Sequence, residues 1–201
     1  MNSGFHFSKA GKYKAISNEL KIARFSLIDY VIETKKAIPS EKAADIIGQN
    51  ALNELLQKNI VNANQDNAIS CLYPVSAADT GHSVKLADGR QFSTMCAFDS
   101  LGCAGTFHMD CEIFSFCKDT NERVCIKISE QEIKTALPSS NIFVSYLDKI
   151  GEGSCGCCGV MNFFQYEKHA RDLLKQYEHN KNMYFWTLND AFTAAKMVFE
   201  N

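Results

Sequence analysis

Long apolar runs are missing from this 201-residue chain; none reaches the 18 or more residues that a membrane-spanning helix needs. The opening stretch MNSGFHFSKAGKYK has no apolar centre of the kind a secretory leader carries. A reducing cytoplasm is therefore the expected compartment, with no membrane partner. Charge of one sign is also scarce. Against 23 Asp and Glu stand 21 Lys and Arg, a net charge of −2, which argues against a protein that lives mainly on nucleic acid. A phosphate-cradling glycine loop, a dinucleotide fingerprint, a Ser–His–Asp arrangement and a basic patch with interleaved aromatics are all absent. So are internal repeats and low-complexity tracts. Cysteine is the exception: there are nine, at 71, 96, 103, 111, 117, 125, 155, 157 and 158. An odd count leaves at least one unpaired within the chain, and in a reducing compartment such residues are thiols or ligands.

Periodicity divides the chain into two textures. Leu20, Ala23, Leu27, Tyr30, Val31 and Thr34 recur at steps of three and four, the stripe of a helix that Pro39 ends. Ser40 is placed to cap a second helix, EKAADII, and ALNELLQKNIV supplies a third, with Leu52, Leu55, Leu56 and Ile60 on one side. From about residue 82 alternation takes over. Asp88-Gly89 reads as a hairpin turn, and TFHMDCEIFSFC, ERVCIKIS, NIFVSYL and VMNFF read as strands. Ser129-Glu130-Gln131-Glu132 matches a capping box and predicts a short helix ending before Pro138. EKHARDLLKQYEH and a last helix capped at Thr187, with Phe192, Ala195 and Phe199 inward, complete the reading. The expected fold is α+β. A three-helix, winged-helix-like module covers residues 1–80, and a mixed β-sheet core with flanking helices covers 81–201.

Two segments could carry chemistry. In Cys96-Ala97-Phe98-Asp99-Ser100-Leu101 a strand pattern ends, and a helix beginning there would put Cys96 and Asp99 at i and i+3 on one face. A cysteine at a helix N-terminus has its thiolate stabilised by the backbone dipole, and a partly buried Asp99 would hold a proton near neutrality. Taken alone, this segment is better explained as a structural cysteine beside a capping aspartate, since cysteine is so often a buried core residue. Gly153-Ser154-Cys155-Gly156-Cys157-Cys158-Gly159 is more specific: three thiols in four positions on a glycine-bearing loop suit soft metals such as copper(I), zinc or mercury. No second C-x-x-C pair exists to make a zinc ribbon.

The first segment resembles the Cys-Ala-Leu-Asp-Thr-Leu signature of the organomercurial (alkylmercury) lyases. His82 through Asp88-Gly89-Arg90 is similar to the stretch before that signature, and Ser115-Phe116-Cys117 lies where the family often keeps a further, structural cysteine. Cys158-Gly159-Val160-Met161-Asn162-Phe163-Phe164 is similar to the family's second catalytic cysteine and its Phe-Phe pair. The resemblance implies a catalytic core of that type over 81–201 and a cytoplasmic detoxifying lyase that breaks a carbon–mercury bond. It implies Cys96 as the attacking thiolate, Cys158 as the second thiol and Asp99 as the proton donor, all three around the metal. No organic cofactor is implied. The substrate would be a small organometallic molecule, and small thiols or a dithiol protein would take the metal away. This chain departs from the pattern in its Cys-Gly-Cys-Cys loop, where Cys155 is an extra thiol and Cys157 could stand in for Cys158. Gly102-Cys103 also follows the signature where bulkier residues are common. The alternatives are a non-catalytic thiol protein that sequesters soft metals, using the cysteines without Asp99, and a metal-responsive DNA-binding regulator. ALNELLQKNIV, with its single Lys, makes a poor recognition helix for the latter.

Overall fold

A computed structural model describes residues 11–139, 141–147, 155–176 and 183–200, without the side chains at 155–157, 174 and 176. Helix α1 (Asn18–Thr34) starts where the Ser17 hydroxyl accepts the Leu20 N–H, and it ends at Lys35 in the left-handed conformation. Its buried stripe is Leu20, Ala23, Arg24, Leu27, Ile28, Val31 and Ile32. The stripe thus takes in a charged Arg24, while Thr34 is exposed and Tyr30 half-buried. After strand β1 (Ile38–Pro39) come α2 (Ser40–Ile47) and α3 (Gln49–Gln57). Ser40 is the first residue of α2 and not its cap; its hydroxyl donates instead to the Asn67 carbonyl at 2.5 Å. Pro39, extended by its pairing with Ala68, occupies the cap position.

The strands that follow are β2 (Asn62–Ala63), β3 (Ala68–Leu72), β4 (Val75–Ser76), β5 (Ser83–Leu86) and β6 (Gln91–Thr94). Beyond helix α4 (Ala97–Phe107) come β7 (Cys111–Phe116), β8 (Arg123–Ser129) and β9 (Glu132–Leu137). These strands make one sheet in the order β1-β3-β4-β6-β5-β7-β8-β9, with β2 on β3. Because β4 pairs with β6 (Val75↔Thr94, Ser76↔Ser93), that sheet is continuous across residue 80. A second sheet, β11-β10-β12, is built from β10 (Phe143–Leu147), β11 (Phe163–Phe164) and β12 (Met183–Thr187). Every strand pair described is antiparallel, where a mixed sheet was expected; parallel pairing is confined to the bridge between Cys117 and Phe163 that joins the two sheets. Short hairpins link β5 to β6, β7 to β8 and β8 to β9, and such links return the chain antiparallel.

The helix expected after Ser129 does not form. Glu130 and Gln131, both left-handed at φ 53° and 60°, make the turn of a β8–β9 hairpin. The would-be capping hydroxyl of Ser129 donates to Asp110 Oδ2 at 2.5 Å. A local capping pattern yields here to the backbone of β8, which takes β9 as a partner from Cys125 to Ser129.

Helix α4 lies at the centre of the molecule, and all eleven of its residues are buried. It packs on α6 (Leu188–Phe199), which Thr187 caps by accepting the Asp190 N–H at 3.2 Å. Helix α5 (Glu167–Gln176) follows β11 and packs against β12. Gly102 is what permits the approach of α4 to α6, since a Cβ there would fall 2.2 Å from the Phe199 ring. Phe98, Tyr146, Trp186 and Phe199 fill the space between α4, α6 and the smaller sheet, with the Phe98 and Tyr146 rings 4.5 Å apart.

Candidate active site

The turn from β6 into α4 fixes the first two candidate residues. Cys96, in extended conformation, is the N-cap of α4, and its sulfur receives the Asp99 backbone N–H at 3.5 Å. Thr94 and Ser100 join their hydroxyls at 2.6 Å, and Ser100 donates to the Cys96 carbonyl at 2.9 Å, so the first turn of the helix is braced from both sides. Cys96 and Asp99 thereby project from one face.

Cys158 arrives from a short 3₁₀ segment (Cys155–Val160) whose exit is pinned twice. The Ala97 N–H donates to the Met161 carbonyl at 3.2 Å, which ties this segment to the start of α4. On β10, the Ser145 hydroxyl donates to the Val160 carbonyl at 2.5 Å and accepts the Asn162 N–H at 3.0 Å. Cys96, Asp99 and Cys158 therefore converge, their ligand atoms all within 4.8 Å of one another. Asp99 Oδ2 is 2.7 Å from Cys96 Sγ and 4.0 Å from Cys158 Sγ. All three are buried, at 0%, 4% and 8% exposure in that order. The side chains of Cys155 and Cys157, the two other loop thiols, lie outside the described residues.

Electrostatics correct one expectation. A helix N-terminus was expected to favour the Cys96 thiolate, yet burial pushes this thiol up to about 11. The Asp99 charge and its side-chain hydrogen bond push the same way, outweighing help from Cys158 and from the Asp99 N–H. The Cys96 S–H donates to Asp99 Oδ2. The remaining cysteines divide by surroundings. Cys103 is held well above its ordinary range, first by burial, and burial likewise takes Cys111 up to about 12. Cys117 is lowered: burial, the largest influence, raises it, but hydrogen bonds from Thr120, Gln165 and Asp119 together outweigh that.

Several residues beyond the three candidates bear on this site. Met161 places its thioether 3.6 Å from Cys96 Sγ. Arg24, fully buried, donates to the Tyr73 carbonyl at 2.6 Å and lies 4.4 Å over the Tyr13 ring. Burial, the largest influence, raises the Tyr13 hydroxyl; Arg24 opposes it, and the charges of Asp99 and Cys158 reinforce it. His82 meets the Ser115 hydroxyl through Nδ1 at 2.8 Å. Their positions come from long-range packing: Arg24 stands in the buried stripe of α1 without having been expected there, and Met161 lies inside the Cys158–Phe164 motif, which by itself gives it no role.

With this geometry in view, comparison with known proteins is informative. The family model for alkylmercury lyase (MerB) matches residues 75–200, more than half of the chain and the whole segment that carries the cluster. The chain belongs to the alkylmercury lyase family. Among solved structures, the mercury-bound form of MerB2 superposes with a TM-score of 0.65 and 19% identity, over 91% of this chain and 98% of that one. At that identity the likeness establishes the α+β lyase fold. No curated protein matches the chain. Among the described residues, no helix is long and apolar enough to cross a membrane.

Proposed function

We propose that this member of the alkylmercury lyase family cleaves the carbon–mercury bond of small organomercurials, with Cys96 and Cys158 taking the metal and Asp99 moving the proton. The observation that carries the reading is a single carboxylate oxygen, Asp99 Oδ2, at 2.7 Å from one buried thiol and 4.0 Å from another. Asp99 can receive a proton from sulfur and hand it on without leaving its place on α4.

For a substrate R–Hg–X the steps balance as follows. Cys96 forms a sulfur–mercury bond as its proton passes to Asp99, and X leaves. Cys158 adds a second sulfur, which weakens the bond from mercury to carbon. The electron pair of that bond takes the proton held by Asp99, releasing R–H. One thiol proton ends on carbon and the other leaves with X, so R–Hg–X and two thiols become R–H, HX and a mercury dithiolate. No atom changes oxidation state by way of an external reagent, and no organic cofactor enters the balance. Soft sulfur selects the metal, while the hard carboxylate is left free for proton transfer. Small thiols or a dithiol protein would then draw the metal away.

The test is to incubate the protein with phenyl- or methylmercury and excess thiol, measuring hydrocarbon released and mercury retained. The parent should release hydrocarbon in proportion to substrate consumed. Asp99→Asn should keep mercury but lose hydrocarbon release by about 10²–10⁴-fold, the usual cost of a positioned general acid. Cys96→Ser and Cys158→Ser should impair retention as well, because a hydroxyl is a hard ligand. A parent that binds organomercury and never yields hydrocarbon would be a metal-sequestering protein. An Asp99→Asn variant that cleaves like the parent would remove Asp99 from the mechanism.

A further inference from the structure

The geometry points to a third soft donor in the metal site: we infer that the Met161 thioether joins Cys96 and Cys158 around the captured metal. The inference rests on the proposed capture of metal by those two thiols, and it adds a ligand that the two-cysteine arrangement lacks. Met161 Sδ is 3.6 Å from Cys96 Sγ, and the residue is 4% exposed. Two sulfurs bound to one ion at the tetrahedral angle lie about 3.8 Å apart when the bonds have the roughly 2.3 Å length of zinc–sulfur, and a larger soft ion spreads them somewhat further. The observed separation is close to that spacing, so a shared ion needs little movement of either sulfur.

Placement by the backbone strengthens the case. The Met161 N–H donates to the Cys158 carbonyl and its carbonyl accepts the Ala97 N–H, each at 3.2 Å. The residue is thus tied to both cysteine-bearing segments. Its two neighbours, Val160 and Asn162, are held by the same Ser145 hydroxyl. Methionine in a core usually fills irregular gaps by virtue of its flexibility. Here the backbone on either side is pinned, and the sulfur end meets a sulfur.

Chemistry favours a thioether as the extra ligand. Two thiolates balance the charge of a divalent soft ion, and a third thiolate would leave net negative charge in a buried site beside the Asp99 carboxylate. A thioether is soft and neutral, so it adds a bond without adding charge. Its role is retention: it holds the metal after the hydrocarbon has left and slows its surrender to competing thiols.

The test uses mercuric ion, which bypasses carbon–mercury cleavage. The full-length protein and Met161→Leu, a substitution that nearly conserves volume, are each loaded with one equivalent. Removal of mercury by excess glutathione should be about 10-fold faster from the variant. X-ray absorption should show one sulfur fewer around mercury in Met161→Leu than in the parent. In parent protein labelled with ¹³C-methyl methionine, one methyl resonance should shift on loading. That measurement reads the parent directly, and it stands whether or not the variant folds well. Equal removal rates with equal sulfur shells, or no methyl shift in the parent, would overturn the inference. A parent that fails to cleave organomercurials but shifts its Met161 methyl on mercuric ion would sink the lyase reading and uphold this one.

Discussion

A buried thiol next to a carboxylate is a poor nucleophile until something removes its proton, and Cys96 is such a thiol. Burial holds its ionisation up near 11, so little thiolate is present at pH 7. General alkylating agents and peroxides, which need a preformed thiolate, should therefore find Cys96 slow. Iodoacetamide labelling followed by mass spectrometry should modify the half-buried Cys125 well before Cys96 at pH 7, with Cys96 labelling climbing as pH rises toward 11. Asp99→Asn removes the charge that helps raise this thiol, so Cys96 should label faster in that variant at a given pH. Rapid labelling of parental Cys96 at neutral pH would contradict the resting protonation. The Cys96–Asp99 pair at a strand end and the cysteine-rich loop are local patterns visible in the sequence, whereas the choice of Cys158 within that loop came from the family resemblance. The protonation state was not visible there, because burial and the facing carboxylate depend on where α4 comes to rest.

Elements were legible to the extent that their own residues decide them. The α1 helix with the greater part of its stripe, the Asp88-Gly89 turn, the β7 strand and the Thr187 cap came through. The segment after Ser129 did not, since its pairing with β8 outweighed its local capping pattern. Gly102 and Gly105 give a paired test of how α4 meets α6. A methyl at Gly102 would strike the Phe199 ring, whereas one at Gly105 would meet neighbours no nearer than 3.7 Å. Gly102→Ala should cost about 1–3 kcal/mol in urea unfolding, as overpacking does. Gly105→Ala should be neutral or stabilising by up to about 1 kcal/mol through helix propensity. Equal effects at the two positions would mean that the helices are not seated as described.

For the molecule as a whole, His82 links stability to pH from the place where the two sheets meet. It bonds Ser115 of β7, and its ring lies edge-on to Phe163 of β11 at 6.1 Å. Burial, with help from the Lys118 charge, lowers its ionisation from 6.5 to about 4. The folded state thus holds this imidazole neutral, while the unfolded chain takes up a proton below pH 6.5. The stabilisation is complete above pH 6.5, falls as pH drops toward 4 and then levels off. Over that window it amounts to about 3 kcal/mol. Urea unfolding of the parent and His82→Gln between pH 4 and 7.5 should show a steeper acid loss in the parent. Parallel curves would rule His82 out as the source. One further consequence follows from the tie between α1 and the turn ahead of Cys96. Arg24 grips the Tyr73 carbonyl, and the next carbonyl, that of Pro74, receives the Met95 N–H. Cys96 is thus anchored, two hydrogen bonds away, by a cation on a helix that lies outside the family-matched segment. Such a protein cannot be recombined freely at residue 80. A chimera with a foreign leading half would have to bring its own buried cation to the same carbonyl, or leave the turn ahead of Cys96 without that tie.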